Sequence, residues 1–200
     1  MAARTDLPAA QGDADAIAAS RHDPTRFAVV FDRHYEEIWS YLSRRTGRGL
    51  AEELASETFL RAFAARDGYD LAYPDARPWL YGIATNLLRK HARTEERRRR
   101  AYARALQRDD VRGAVDAVED RIDAAIDART VADALSRLKA ADRDTLLLFA
   151  LTDLDYEGIA IATGVPVGTV RSRLYRVRRH MQAALSGSVD VDAIDERSRP

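Results

Sequence analysis

Apolar residues recur along most of this 200-residue chain at steps of three and four, the repeat of an amphipathic helix. Phe27, Phe31, Tyr35, Ile38 and Leu42 form the first stripe, and Gly47 and Gly49 are placed to end it. A second helix carries Leu50, Leu54, Ala55, Phe59, Ala62 and Phe63, with Glu52, Glu53, Glu57 and Arg61 on or near its other face. Gly68, Pro74 and Pro78 predict a loop. A third helix starts near Pro78, buries Trp79, Leu80, Ile83, Ala84 and Leu87, and runs on into Arg89–Arg100. Further along, Val131, Leu135 and Leu138 mark a helix, and Asp142 is read as the cap of the next, Leu146–Leu151. Tyr156–Thr163 and a Gly164-Val165-Pro166 turn follow. A last helix from Gly168 carries Val170, Leu174, Val177, Met181 and Leu185. No stretch alternates as a strand would, so the chain reads as all-α, in two small domains. Met1 to about Asp23 is Ala-, Asp- and Gly-rich and is expected to be mobile, with a helical turn near Ile17. The polar tail after Ser186 is expected to fray.

The charge adds organisation that its total hides. Thirty-two basic residues balance 32 acids, yet Arg89–Arg108 holds nine Arg/Lys against two acids, and Asp109–Asp127 seven acids against two Arg. A basic block is followed by an acidic one, read as a linker. The chain has no cysteine, which excludes disulfides, a thiol nucleophile and Cys-ligated metal. His22, His34, His91 and His180 lack ligand spacing, so no metal site is expected. Leu146–Leu151 is far short of the ~20 apolar residues of a membrane span. Asp6, Asp13 and Asp15, without an apolar stretch, do not read as a secretory signal, and a cytoplasmic location is expected. Glu52, Glu53 and Glu57 have no triad, phosphate loop or metal cluster beside them, so neither an enzyme nor a cofactor is expected.

The sharpest local signal is DYEGIAIATGVPVGTVRSRLYRVRRHM: a short helix, a glycine turn and an amphipathic helix, the order of a helix-turn-helix. Ile159, Ala160 and Val170 would pack the two helices, with Ala160 and Gly164 small enough for close approach. Thr169, Arg171, Ser172 and Tyr175 lie at the end of the second helix that meets base edges in a major groove. Arg176, Arg178 and Arg179 suit phosphates. A solvated basic face on a bundle helix is the plain alternative. It is disfavoured by five arginines with no acid between them.

The first unit has a second cationic helix. Trp79 and Tyr81 precede Asn86, Arg89, Lys90, Arg93 and the Arg97–Arg100 run. Aromatics beside cations are what single-stranded DNA needs, a stacking platform and a track for phosphates. Core packing is the alternative for Trp79.

With both units in hand, the sequence resembles the extracytoplasmic-function (ECF) RNA polymerase sigma factors of the sigma-70 family. AEELASETFLRAF is similar to the family's core-polymerase-binding helix. ARPWLYGIATNLLRKHARTEERRRR is similar to its promoter-melting and minus-ten segment, and DYEGIAIATGVPVGTVRSRLYRVRR to its minus-thirty-five-reading helix-turn-helix. The resemblance implies a sigma-2-like bundle at 26–100 and a sigma-4-like domain at 130–186. They would be joined by a flexible acidic linker at 101–129, with a disordered segment at 1–25 and a tail at 187–200. It implies that Glu53, Leu54, Glu57 and Phe59 bind the largest subunit of core RNA polymerase. It further implies that Trp79, Tyr81, Asn86, Arg89, Lys90 and Arg93 hold the minus-ten strand. The second domain would dock on the second-largest subunit and read promoter DNA with Thr169, Arg171, Ser172, Tyr175, Arg176 and Arg178. An anti-sigma factor is an expected partner. Lys90 stands where an acid is common in the family, and Gly158 where a helix former is usual. The rival readings are a helix-turn-helix regulator binding duplex DNA as a dimer, and a small helical adaptor. The first leaves Trp79–Arg100 unexplained.

Overall fold

The computed structural model describes residues 12–106 and 131–195. All regular structure among them is helical, as expected. The elements are α1 (Asp13–Ser20), α2 (Ala28–Thr46), α3 (Arg48–Ala65), α4 (Arg77–Leu106), α5 (131–137), α6 (Ala140–Leu151), α7 (Tyr156–Thr163) and α8 (Val167–Asp195). Short 3₁₀ turns occupy Pro24–Phe27 and Arg66–Gly68. The basic helix α4 continues to Leu106, past the expected start of the linker; the rest of that segment lies outside the described residues.

In the first unit, α2 and α3 form an antiparallel hairpin and α4 packs across them. Gly47 makes the corner at φ 82° and ψ 165°, a backbone conformation that glycine alone adopts readily. Ile38, Leu42, Ala51, Ala55, Ala62, Leu80 and Ala84 fill the centre and are fully buried. Burying a Leu or Ile contributes about 1.5–3 kcal/mol each, which is what holds helices of this length together. The stripe of α2 sits slightly rotated from its sequence reading. Val30, His34 and Tyr41 join Ile38 and Leu42 inside, while Phe31 is exposed at the edge and packs its ring 5.0 Å from Phe59.

The N-terminal segment has the helical turn expected near Ile17, but it is packed rather than mobile, which corrects the sequence reading. From Asp13 it is a helix, with Asp13, Ala16, Ile17 and Ser20 buried against the bundle. The C-terminal expectation changes too, because α8 extends to Asp195 rather than fraying after Ser186.

The second unit packs α6 and α7 against α8. Asp155 caps α7, accepting a 2.7 Å bond from the Gly158 N–H. Gly158 suits this place. A Cβ there would stand 3.1 Å from Leu154 and 3.3 Å from the capping Oδ1. Gly164 ends α7 in the left-handed conformation, φ 65°, with Val165 N–H bonded to Ala160 O. It serves by its conformation rather than by permitting close approach, since nothing lies within 4 Å of its would-be Cβ. Asp142 is no cap: it lies in the first turn of α6 and pairs with Arg176 (3.0 Å) and Arg173 (3.8 Å).

The two units are more than linked, because their apolar cores are continuous. Leu148, Leu154, Ile159 and Ala162 join the cluster that contains Leu80 and Ala84. Helix α7 lies on α4. The approach is tight at Gly82, where a Cβ would stand 2.9 Å from the Ala162 carbonyl oxygen.

Candidate nucleic-acid interface

Helix α8 presents the face that its sequence predicts. Val170 and Val177 are buried and hold the helix, so Arg171, Ser172, Tyr175, Arg176 and Arg178 point outward. Thr169 is half-buried at the first turn. Arg171, Tyr175 and Arg178 follow at steps of four and three and share one side. Tyr175 is 64% exposed, a large aromatic left in water. The Arg171 guanidinium lies 5.9 Å above the Tyr156 ring, which holds it near the N-terminal end of the helix. Asp142 restrains Arg176.

The residues assigned to α4 divide. Asn86, Lys90 and Arg93 are exposed. Tyr81 is not available to a ligand. It is 3% exposed, its ring is edge-to-face with Tyr41 at 5.2 Å, and it belongs to the core. Trp79 is half-buried and walls a cavity of about 220 Å³ together with Gly68, Tyr69, Asp70, Tyr73, Asp75 and Pro78. Tyr69 lies 4.8 Å from Trp79, and its hydroxyl donates to the Tyr73 carbonyl at 2.7 Å. Burial pushes that hydroxyl up to about 12, so it remains a donor. Trp79 and Asn86 are seven residues apart, two turns along one face of α4. The sequence reading took 68–78 for a loop only and missed Tyr69 and Tyr73. Two tyrosines within a Gly/Pro loop were the available signal.

The second unit covers one edge of that face, at Trp79, Gly82 and Arg89, and leaves Asn86, Lys90 and Arg93 exposed. Ile161 of α7 completes the cavity beside Trp79. Ala162 meets Gly82, between Trp79 and Asn86. Asp144 of α6, 2% exposed, accepts from Arg45 and Arg89 at 2.6 Å each. Arg45 also donates to the Tyr41 hydroxyl at 2.6 Å, and that hydroxyl is paired with Thr85 at 3.0 Å. A buried carboxylate with two guanidiniums thus ties α6 to α2 and α4.

The residues assigned to polymerase divide similarly. Glu53 is exposed, and Glu57 is half-buried and accepts from Arg61 at 2.7 Å. Leu54 and Phe59 are buried, so they support the surface rather than form its outer layer. Leu60, 63% exposed, stands in the groove that α3 and α4 form with Glu53, Glu57, Lys90 and Arg98. It was missed because it falls off the apolar stripe.

A buried charge network anchors α1. Asp13 accepts from Arg33 (2.9 Å), from His34 (2.8 Å) and from the Ala76 N–H (3.0 Å), and His34 bonds Glu37 at 2.6 Å. Burial opposes the charge on Asp13, but these partners outweigh it and hold the carboxyl well below its usual range. Burial likewise opposes the charge on His34, and Asp13 and Glu37 outweigh it, raising the ring to about 9. Among the described residues there is no group of His, Asp and Glu arranged for a metal, and no helix long and apolar enough to cross a membrane.

Two family models match the chain in order: Sigma-70 region 2 over residues 30–100 and Sigma-70 region 4 over residues 128–181. The chain is 31% identical over 160 residues to the ECF RNA polymerase sigma factor SigL of Mycobacterium tuberculosis, covering 78% of this chain and 87% of that one. It is 30% identical over 165 residues to SigC of the same species, covering 82% and 85%. Among solved structures, CnrH in complex with the cytosolic domain of CnrY has the same fold. The TM-score is 0.58 at 22% identity, over 88% of this chain and 97% of that one. With both regions matched and this identity over most of its length, the chain belongs to the ECF sigma factors of the sigma-70 family.

Proposed function

We propose that this chain binds core RNA polymerase and directs it to promoters that carry minus-ten and minus-thirty-five elements. The observation that carries this reading is the presence of two distinct cationic helical faces on one chain, each within one of the two matched sigma-70 regions. The exposed Thr169–Arg178 face of α8 reads the upstream element as duplex. Arg171 is placed for a guanine edge, and Arg176 and Arg178 for phosphate. The Trp79 face of α4 takes the downstream element as a single strand. An unstacked base enters the cavity walled by Tyr69, Tyr73 and Trp79, and its neighbours run along Asn86, Arg89, Lys90 and Arg93. Glu53, Glu57 and Leu60 meet the largest polymerase subunit, and 130–186 the second-largest. Region 26–100 acts as the sigma-2 domain. The chain performs no covalent step, and an anti-sigma factor that covers these faces controls it.

The packed arrangement gives the reading a mechanism. Strand loading on α4 requires α7 to leave Gly82 and Ile161 to leave the cavity, and DNA phosphates must replace Asp144 beside Arg89. Polymerase supplies the drive by holding the two units apart at promoter spacing, so that two weak contacts become one multivalent event.

Run-off transcription with purified core polymerase on a genomic promoter library tests this reading. Transcripts that depend on the chain and share two elements at fixed spacing are the expected result. Asn86→Ala should affect only the downstream element. Tight duplex binding without any polymerase binding would contradict the reading and leave a dimeric regulator.

A further inference from the structure

The loop that walls the aromatic cavity is braced within by the Tyr69 hydroxyl, which donates to the Tyr73 and Asp75 carbonyls at 2.7 and 3.2 Å, and by the Ala72 N–H on Asp70 Oδ1 at 3.0 Å, and it is tied from outside at both ends. Residues 69–76 contain one backbone turn, Tyr73 N–H to Asp70 O at 3.1 Å, and carry no regular structure. Their two ends are fixed by α1. At the first end, Arg21, just past α1, donates to the Tyr69 carbonyl at 2.9 Å and to the Arg66 carbonyl at 3.3 Å. Arg66 returns a bond to the Ser20 carbonyl at 3.2 Å. At the other end, Asp13 accepts from the Ala76 N–H at 3.0 Å. Ala76 is fully buried, so this N–H has no access to water and depends on the carboxylate. Its own carbonyl accepts from Leu80 N–H at 3.0 Å, which starts α4. Asp13 therefore fixes Ala76, the residue before α4 and three before Trp79, and Arg21 fixes where Tyr69 leaves the 3₁₀ turn that follows α3. Arg33 and His34 hold the Asp13 carboxylate rigid in turn.

We propose that Asp13 and Arg21 are specificity-determining positioning residues. They set the aperture between Tyr69 and Tyr73 on one side and Trp79 on the other, and so determine how tightly and how selectively the downstream strand's unstacked base is held. This inference rests on the reading that the cavity takes a base. It makes α1 part of promoter recognition although α1 lines no wall of the cavity. The physical reason is the short range of stacking: an aromatic wall displaced by a fraction of an ångström loses much of its dispersion contact.

The test uses holoenzyme assembled from core polymerase and the full chain. The probes are single-stranded oligonucleotides that carry the downstream element of a promoter this chain transcribes. Each is varied at one position, and one carries 2-aminopurine at the unstacked base. Asp13→Ala and Arg21→Ala should each weaken strand binding about tenfold, the worth of one base's stacking. They should also flatten the base preference at one position and shift the 2-aminopurine emission. Binding of upstream-element duplex should be unchanged. Arg21→Lys keeps one donor and should recover part of the preference. Ile17→Ala, which opens a hole in the core beneath α1 without touching either loop bond, should lower thermal stability and leave the base preference intact. If Asp13→Ala prevents folding, Arg21→Ala decides alone. If Trp79→Ala weakens strand binding while Arg21→Ala leaves affinity and preference at wild-type values, the positioning role is wrong and base capture stands. If Trp79→Ala itself has no effect, base capture fails and the positioning role fails with it.

Discussion

Helices α4 and α8 carry comparable cationic faces but differ in what lies on them. The reading face of α8 is open to solvent, with Asp142 touching its Arg176 and the Tyr156 ring its Arg171. The face of α4 is overlain by α7 along its Trp79–Gly82 edge, its cavity is completed by Ile161, and its Arg89 is bound to the buried Asp144, while Asn86, Lys90 and Arg93 stay exposed. The difference follows the substrate proposed for each. A duplex presents its edges to any exposed helix, whereas an unpaired strand must compete with whatever covers the stacking surface. Residue identity sets what a face binds, and packing sets when it is free to bind.

The largest expected effect separates the units by their buried charges. His34 is held charged up to about pH 9, against its ordinary value of 6.5. A group raised in the fold stabilises fully below its unfolded value and loses that contribution as pH rises through its folded value. The first unit should therefore lose up to about 3 kcal/mol between pH 6.5 and pH 10. Among the described residues the second unit has no histidine paired with carboxylates, and it should hold its stability. Thermal melts followed by tryptophan emission report the first unit, because Trp39 and Trp79 both lie in it. A flat profile across that range would contradict the assignment.

Next in size is the lock between the units. Asp144→Ala removes the carboxylate shared by Arg45 and Arg89. Removing one partner of a buried pair costs 3–5 kcal/mol, less here because the guanidiniums are partly exposed and regain water. About 2 kcal/mol against the closed arrangement is expected, which should raise strand binding by the free chain about thirtyfold. Duplex binding through α8 should not change. Equal strand binding by wild type and variant would show that α6 and α7 do not obstruct α4.

Arg171→Ala addresses the open face. It should cost about 1–3 kcal/mol on the upstream element and relax preference at one base pair. Its melting profile should match wild type, since the side chain is exposed. Smallest is Gly164→Ala, which places a Cβ at φ 65° for about 1 kcal/mol of stability in the second unit. It should not alter strand binding through α4.

Much of the fold was legible in the sequence because it depends on helical periodicity. The stripes of α3 and α4, that of α8 short of Leu185, and the turn at Gly164 follow the sequence pattern, as do the exposed residues of α8 from Arg171 on. What was not legible depends on partners distant in sequence. Helix α1 is short and Ala-rich, and beyond the turn expected near Ile17 its docking rests on Asp13 and Ser20, buried polar residues that no apolar count reveals. Tyr81, Leu54 and Phe59 were read as contact residues, yet three-dimensional packing turned them inward. Asp142 matched a cap by position, but arginines from α8 claimed it. The approach of α7 to α4 at Gly82 had no local signature, because a glycine within a helix looks the same whether or not a backbone lies against it. The same limit hid Tyr69 and Tyr73, whose significance arises only when the loop folds beside Trp79.

The most direct test of the covered and open faces is a distance measurement. The chain has no cysteine, so a pair can be introduced at exposed Arg44 in α2 and Ser136 in α5, which line one groove between the units, and labelled cleanly for energy transfer. Transfer should be high in the free chain and should fall when core polymerase binds, as α7 leaves α4. It should fall in the free Asp144→Ala chain as well. Unchanged high transfer in a holoenzyme that initiates from the chain's own promoters would contradict the account, because transcription would then proceed with α7 still on the Trp79 end of α4.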